Sequence, residues 1–215
     1  MNKAFIFDMD GVIIDTESFW ESAEYNVFSK LGVKVLKEYS HITKNMDMRS
    51  VCNFWYEKQP WGNKNFDIIE QEVLNEVKSQ IKDKGVLIPG IKELLKKIKT
   101  EGYKVGISSN APLSLIKFVV TNFKIENYFD CICSADLVEN AKPFPDVYLL
   151  SSKLLKIPVE DCIAIEDSIT GLKAAKRANM STIYFNNFLF NINYKKELID
   201  YHISDFKKIN IKNII

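Results

Sequence analysis

At 215 residues the chain has room for one α/β core and a modest insertion. Its 29 basic and 28 acidic residues leave a net charge of +1, which excludes a broad electrostatic pull toward nucleic acid or an anionic membrane. No apolar run approaches the roughly 20 residues of a membrane span, and the start at Met1-Asn2-Lys3 lacks the apolar stretch of a secretory signal, so a cytoplasmic protein is expected.

The first element is a short apolar run, residues 3–8, which reads as a buried strand with Asp8 at its tip. A helix follows over 16–31, where Phe19, Ala23, Val27 and Leu31 recur every fourth position and Gly32 marks the stop. Further helices are expected over 47–58 and 66–82, the second with Ile69, Val73, Val77 and Ile81 on one face. The turn Gln59-Pro60-Trp61-Gly62-Asn63 separates them, and no strand is expected between 16 and 86.

From Pro89-Gly90 the pattern changes. A helix carrying Ile91, Leu94, Leu95 and Ile98 ends at Gly102. Strands at 103–107, 131–133, 162–165 and 182–185 then alternate with helices at 112–123, 145–155 and 168–178. That alternation predicts an α/β fold with a parallel sheet, its strand carboxyl ends along one edge. The expected layout is a core of 1–15 and 87–215, interrupted after its first strand by a helical insert, 16–86. Cys52, Cys131, Cys133 and Cys162 form no C-x-x-C pair and read as reduced, buried thiols, with Cys131 and Cys133 expected on opposite sides of their strand. His41 and His202 are unpaired in the sequence and carry no catalytic assignment.

Four segments at predicted strand ends carry chemistry. In Asp8-Met9-Asp10-Gly11 two carboxylates at i and i+2 of extended chain face one site. Such a pair divides phosphoryl transfer between a nucleophile and a proton shuttle, and Gly11 permits a sharp backbone turn. Ser108-Ser109-Asn110, just before a helix start, offers donors for a phosphate. Lys142, stiffened by Pro143 and Pro145, can hold an ammonium beside phosphate and keep Asp8 ionised. Glu166-Asp167-Ser168 brings two more carboxylates to a strand tip, and four such groups together call for a hard cation, Mg²⁺ rather than zinc. Taken singly, each segment is also an ordinary turn, cap or surface loop.

In this order and spacing, Asp8-Met9-Asp10-Gly11, Ser108, Lys142-Pro143 and Glu166-Asp167-Ser168 resemble the four motifs of the haloacid dehalogenase superfamily. The resemblance covers about residues 3–185 and implies a Rossmann-like sheet with the insert as a helical cap. It implies Asp8 as nucleophile and Asp10 as acid/base, with Asp8, the Asp10 carbonyl, Asp167 and Glu166 around Mg²⁺. The loop of Asp8, Met9, Asp10 and Gly11, with Ser108, Ser109, Asn110 and Lys142, would bind the phosphoryl group. Asp15-Thr16-Glu17-Ser18-Phe19-Trp20, Asn45-Met46-Asp47-Met48, Phe54-Trp55-Tyr56 and Gln59-Pro60-Trp61 resemble the cap of hexitol and 2-deoxyglucose-6-phosphate phosphatases. β-Phosphoglucomutases carry a histidine where this chain has Trp20, and the dehalogenases lack the second aspartate, Asp10 here. The resemblance thus implies a small phosphorylated metabolite as substrate, with a phosphosugar mutase or a phosphoglycolate phosphatase as alternatives, and a monomer is expected. Trp20, Trp55 and Trp61 are candidates for cap core or sugar stacking, and Glu17 and Arg49 for substrate hydroxyls.

Overall fold

The computed structural model of the protein describes residues 3–43, 46–62, 65–186, 196–211 and 214. Met1, Asn2, Asn45, Asn63 and the side chain of His41 lie outside them. Along the chain, β1 (Ala4–Phe7) is followed by α1 (Glu17–Lys30), α2 (Ser40–Thr43), α3 (Met48–Lys58) and α4 (Phe66–Lys84). Then come α5 (Ile91–Thr100), β2 (Lys104–Ser109), α6 (Leu113–Asn122), β3 (Cys131–Ser134) and α7 (Asp146–Leu155). β4 (Cys162–Glu166), α8 (Ile169–Arg177), β5 (Ser181–Phe185) and β6 (Tyr201–Ile203) complete the order. Two compact units result, one of Met1–Ile14 with Leu87–Ile215 and one of Asp15–Val86.

The first unit is an α/β fold on a six-stranded sheet of order β3-β2-β1-β4-β5-β6, with every pairing parallel. β1 lies in the middle and all four of its residues are buried, which is why it reads as a continuous apolar run rather than an alternating one. One layer of core joins Ala4, Ile6, Ala164, Val147, Tyr148, Leu155, Ala174 and Ala175, drawn from β1, β4, α7 and α8. The register decides what happens at the edge. Phe7 pairs with both Ile107 and Ile165, so the next residues, Asp8, Ser108 and Glu166, stand level with one another.

β6 was not anticipated. Its three residues, Tyr201, His202 and Ile203, are largely exposed on the outer edge of the sheet and show no apolar pattern. The expected placing of Cys131 and Cys133 is corrected as well. Residues two apart on a strand share a face, so the two thiols stand on the same side of β3. All four cysteines are free. Among the described residues no helix is long and apolar enough to cross a membrane.

The second unit is helical. α4 buries Ile69, Val73, Val77 and Ile81, the face that its spacing predicts, and packs against α1 and α3. Trp55 and Trp61 are both buried here, in an aromatic cluster with Phe28, Tyr56 and Phe66. They are core residues, whereas Trp20 is half-buried. Arg49 is ion-paired to Asp67 and Glu70 of α4. On α1 the buried stripe is Ala23, Glu24, Val27 and Phe28, so a carboxyl group is enclosed with the apolar residues.

Burial outweighs the Thr43 hydrogen bond and pushes the Glu24 carboxyl up to about 7. A raised acid favours its neutral form in the folded state. Its penalty is therefore absent below the unfolded carboxylate range, grows as pH rises toward 7 and is constant above. Glu24→Gln should accordingly stabilise the protein more at pH 8 than at pH 5, by about 2 to 3 kcal/mol in urea unfolding. An equal gain at both values would refute the assignment.

Candidate active site

Asp8 sits one residue past β1, with its amide donating to the Ile165 carbonyl at 2.9 Å and its side chain almost wholly buried. The chain then folds back tightly, and the Met9 carbonyl accepts from the Ile13 amide at 2.9 Å while Gly11 N–H donates to the Ile14 carbonyl at 2.8 Å. The Met9 side chain is fully buried, which leaves only its backbone for a ligand. Gly11 has φ +74, and a Cβ there would lie 2.1 Å from Asp167 Oδ2. Glycine is required twice over at this position, for the backbone angle and for the approach of the Asp167 carboxylate.

The Lys142 ammonium is the centre of the arrangement. It donates to Asp8 Oδ1 at 2.6 Å, Glu166 Oε1 at 2.6 Å and the Ser108 carbonyl at 2.7 Å, which uses all three of its protons. Asn110 clasps the Lys142 backbone from both sides, accepting from its N–H at 2.9 Å and donating to its carbonyl at 3.3 Å. Asn110 thus acts on the loop that carries the lysine. Glu166 is completely buried and accepts in addition from the Tyr148 hydroxyl at 2.5 Å and the Ser168 hydroxyl at 3.2 Å. Ser168 in turn caps α8 by accepting from Gly171 N–H at 3.0 Å.

The two serines of β2 differ. Ser108, expected to offer its hydroxyl to the phosphoryl group, directs it inward to Ser151 Oγ at 2.7 Å and the Val147 carbonyl at 3.3 Å. The strand alternation turns the Ser109 side chain the other way, and its Oγ accepts from Ala111 N–H at 3.0 Å while its hydroxyl proton meets no acceptor among the described residues. Tyr148 and Ser151 were not singled out in the sequence, because on α7 they share the buried stripe of Val147 and Leu155 and read as core.

Electrostatically the site carries surplus negative charge. Burial raises the Asp8 carboxyl well above the usual range, and Lys142 opposes this while Glu166, Asp10 and Asp167 add to it. Two opposing influences act on Lys142, burial lowering it and its two carboxylate partners raising it, and the carboxylates prevail. Carboxylate oxygens of Asp8, Glu166 and Asp167 lie within 4.8 Å of one another. One ammonium among four carboxylates leaves room and need for a divalent cation, and an all-oxygen donor set suits a hard one. The space that Gly11 leaves for Asp167 fits the same reading. His202 lies on β6 against Tyr184, outside this cluster.

Residues 5–185 match the family model described as haloacid dehalogenase-like hydrolase. The chain is 34% identical over 182 residues to hexitol phosphatase B of Escherichia coli, covering 84% of this chain and 82% of that protein. Among solved structures it is similar to CbbY from Rhodobacter sphaeroides in complex with phosphate, with a TM-score of 0.86, 25% identity and coverage of 97% and 96%. It is likewise similar to a β-phosphoglucomutase from Clostridium difficile, with a TM-score of 0.84, 27% identity and coverage of 100% and 96%.

The close approach at Gly11 gives a direct test. Gly11→Ala should destabilise the protein by about 1 to 2 kcal/mol through the left-handed backbone angle. Displacing Asp167 should also lower turnover by on the order of 100-fold. Wild-type rates from the alanine variant, measured at saturating metal and substrate, would show that Asp167 need not approach this backbone.

Proposed function

Because the chain belongs to the haloacid dehalogenase-like hydrolases and is a phosphoric monoester hydrolase, we propose that it is an Mg²⁺-dependent phosphatase of sugar or sugar-alcohol monophosphates that works through an aspartyl-phosphate on Asp8. The observation that carries this reading is the 2.6 Å contact between the Lys142 ammonium and Asp8 Oδ1 in a buried site. An ammonium held there favours the ionised carboxylate that attacks and is placed to offset charge on the phosphoryl oxygens.

In this mechanism an Asp8 oxygen bonds to phosphorus as the ester bond breaks. The carboxyl group of Asp10 gives its proton to the leaving alcohol oxygen. A water then attacks the phosphorus, Asp10 takes back the proton, and Asp8 is freed as inorganic phosphate leaves. Ser109, rather than Ser108, is assigned the side-chain hydroxyl donor to the phosphoryl group, since the Ser108 hydroxyl is spent on Ser151 and Val147. Backbone N–H groups after Asp8 add donors. Asp8, the Asp10 carbonyl and Asp167 would hold Mg²⁺, with Glu166 behind them. The ion supplies charge neutralisation at the phosphoryl group.

The sugar assignment rests on the likeness to hexitol phosphatase B, and a hexose or hexitol 6-phosphate or 2-deoxyglucose 6-phosphate is the proposed class. Residues 16–86 are assigned the part of a cap that selects the leaving group. The enzyme is proposed to act as a cytoplasmic monomer. The likeness to a β-phosphoglucomutase raises one alternative, a mutase that returns the phosphoryl group to sugar.

Asp8→Asn should abolish turnover with the fold retained, as read by circular dichroism and release of inorganic phosphate. Substantial remaining turnover would remove Asp8 from the nucleophile role. Exhaustive chelation should stop the wild-type reaction and added Mg²⁺ restore it; full activity without metal would exclude the ion. With a hexose 1-phosphate, free phosphate is the expected product, and an isomerised sugar phosphate would establish the mutase. A panel of phosphorylated metabolites ranked by kcat/KM should place the hexose and hexitol 6-phosphates first.

A further inference from the structure

Tyr148 takes no part in the steps above, yet it is fully buried with its hydroxyl 2.5 Å from Glu166 Oε1. That oxygen also accepts from Lys142 Nζ at 2.6 Å, and the Lys142 ammonium stands 5.0 Å from the centroid of the Tyr148 ring. One side chain therefore touches both members of the ion pair behind the nucleophile. The other oxygen of Glu166 is taken by Ser168 at 3.2 Å, so protein donors hold both ends of the carboxylate.

We propose that Tyr148 is a positioning residue that sets how the Lys142 ammonium is shared between Asp8 and Glu166. Glu166 and Asp8 compete for the same three N–H donors. A phenol proton on Glu166 Oε1 disperses part of its charge and fixes its orientation, which weakens its hold on Lys142 and leaves the ammonium to Asp8. The ring centroid also lies 5.0 Å from the ammonium, within reach of a cation–π contact. Without the hydroxyl, Glu166 draws the ammonium toward itself, and Asp8 faces the phosphoryl group with less counter-charge. For turnover this inference rests on the phosphatase reading of the site. The placing of the ammonium does not.

Tyr148→Phe removes one oxygen and keeps the ring, so it separates the hydroxyl from the packing. Two measurements test the idea. In metal-free protein labelled with ¹⁵N-lysine, the Lys142 ammonium signal, assigned by its loss in Lys142→Met, should move or broaden in Tyr148→Phe. In the kinetic assay kcat should fall at least about tenfold while KM stays within about twofold, because Tyr148 is enclosed by protein. A merely structural role would lower Tm and leave both readings as in wild type. An unmoved ammonium signal, or a kcat within about twofold of wild type, overturns the proposal. Should Tyr148→Phe fail to fold, 3-fluorotyrosine placed at position 148 alters the acidity of the phenol without altering its shape, and the same two readings apply. Wild-type protein that hydrolyses no phosphate ester would sink the phosphatase reading, while a moving ammonium signal would still support the placing of Lys142.

Discussion

An ammonium buried among carboxylates survives only if every proton finds an acceptor, because several kcal/mol per ion must be recovered from good geometry. Lys142 meets that condition with Asp8, Glu166 and the Ser108 carbonyl, one partner from each of β1, β2 and β4 or their tips. The whole arrangement depends on this contact. It ties three strands to one loop, opposes the rise that burial imposes on the Asp8 carboxyl, and leaves a surplus of negative charge that a divalent cation can balance.

The sheet supplies the coincidence of positions. Parallel register makes Asp8 level with Ser108 and Glu166, so no long side chain has to search for the others. Small residues then remove the obstacles. A Cβ at Gly11 would collide with Asp167, and one at Gly171 would lie 2.0 Å from the Glu166 carboxyl group. The first turn of α8 therefore passes directly beside the buried glutamate, with the Ser168 hydroxyl linking the two. Asn110 completes the frame by holding the backbone of the lysine loop.

The helical unit is organised by a different principle, an aromatic core with its own enclosed acid. Trp55 and Trp61 are spent on that core, which removes them from the residues that could meet a sugar. Arg49 is held by two carboxylates of α4, so its charge is already answered within the unit.

How much of this was legible in the residues follows from which interactions are local. The apolar run of β1 with its acidic tip, the four-residue spacing of α4 and the order of the motif segments are properties of neighbouring residues, and they sufficed to foresee an α/β fold and its family. Alternation along a strand is local too, yet which face of β2 meets α7 is not, and that is why Ser108 was expected at the phosphoryl group while its hydroxyl lies beneath the helix. Tyr148 looks like core because it is core, and its function comes from an acid 18 residues away. Glu24 falls on the buried side of α1, beside Thr43 and Trp55, against its own polarity. β6 pairs only because β5 offers an open edge. Sequence by itself thus determined β1 to β5 and the longer helices, since these follow from period within a few residues. Only tertiary structure decided which donor each acceptor received, because hydrogen bonds and burial at the site join segments more than a hundred residues apart, such as Asp8 and Lys142.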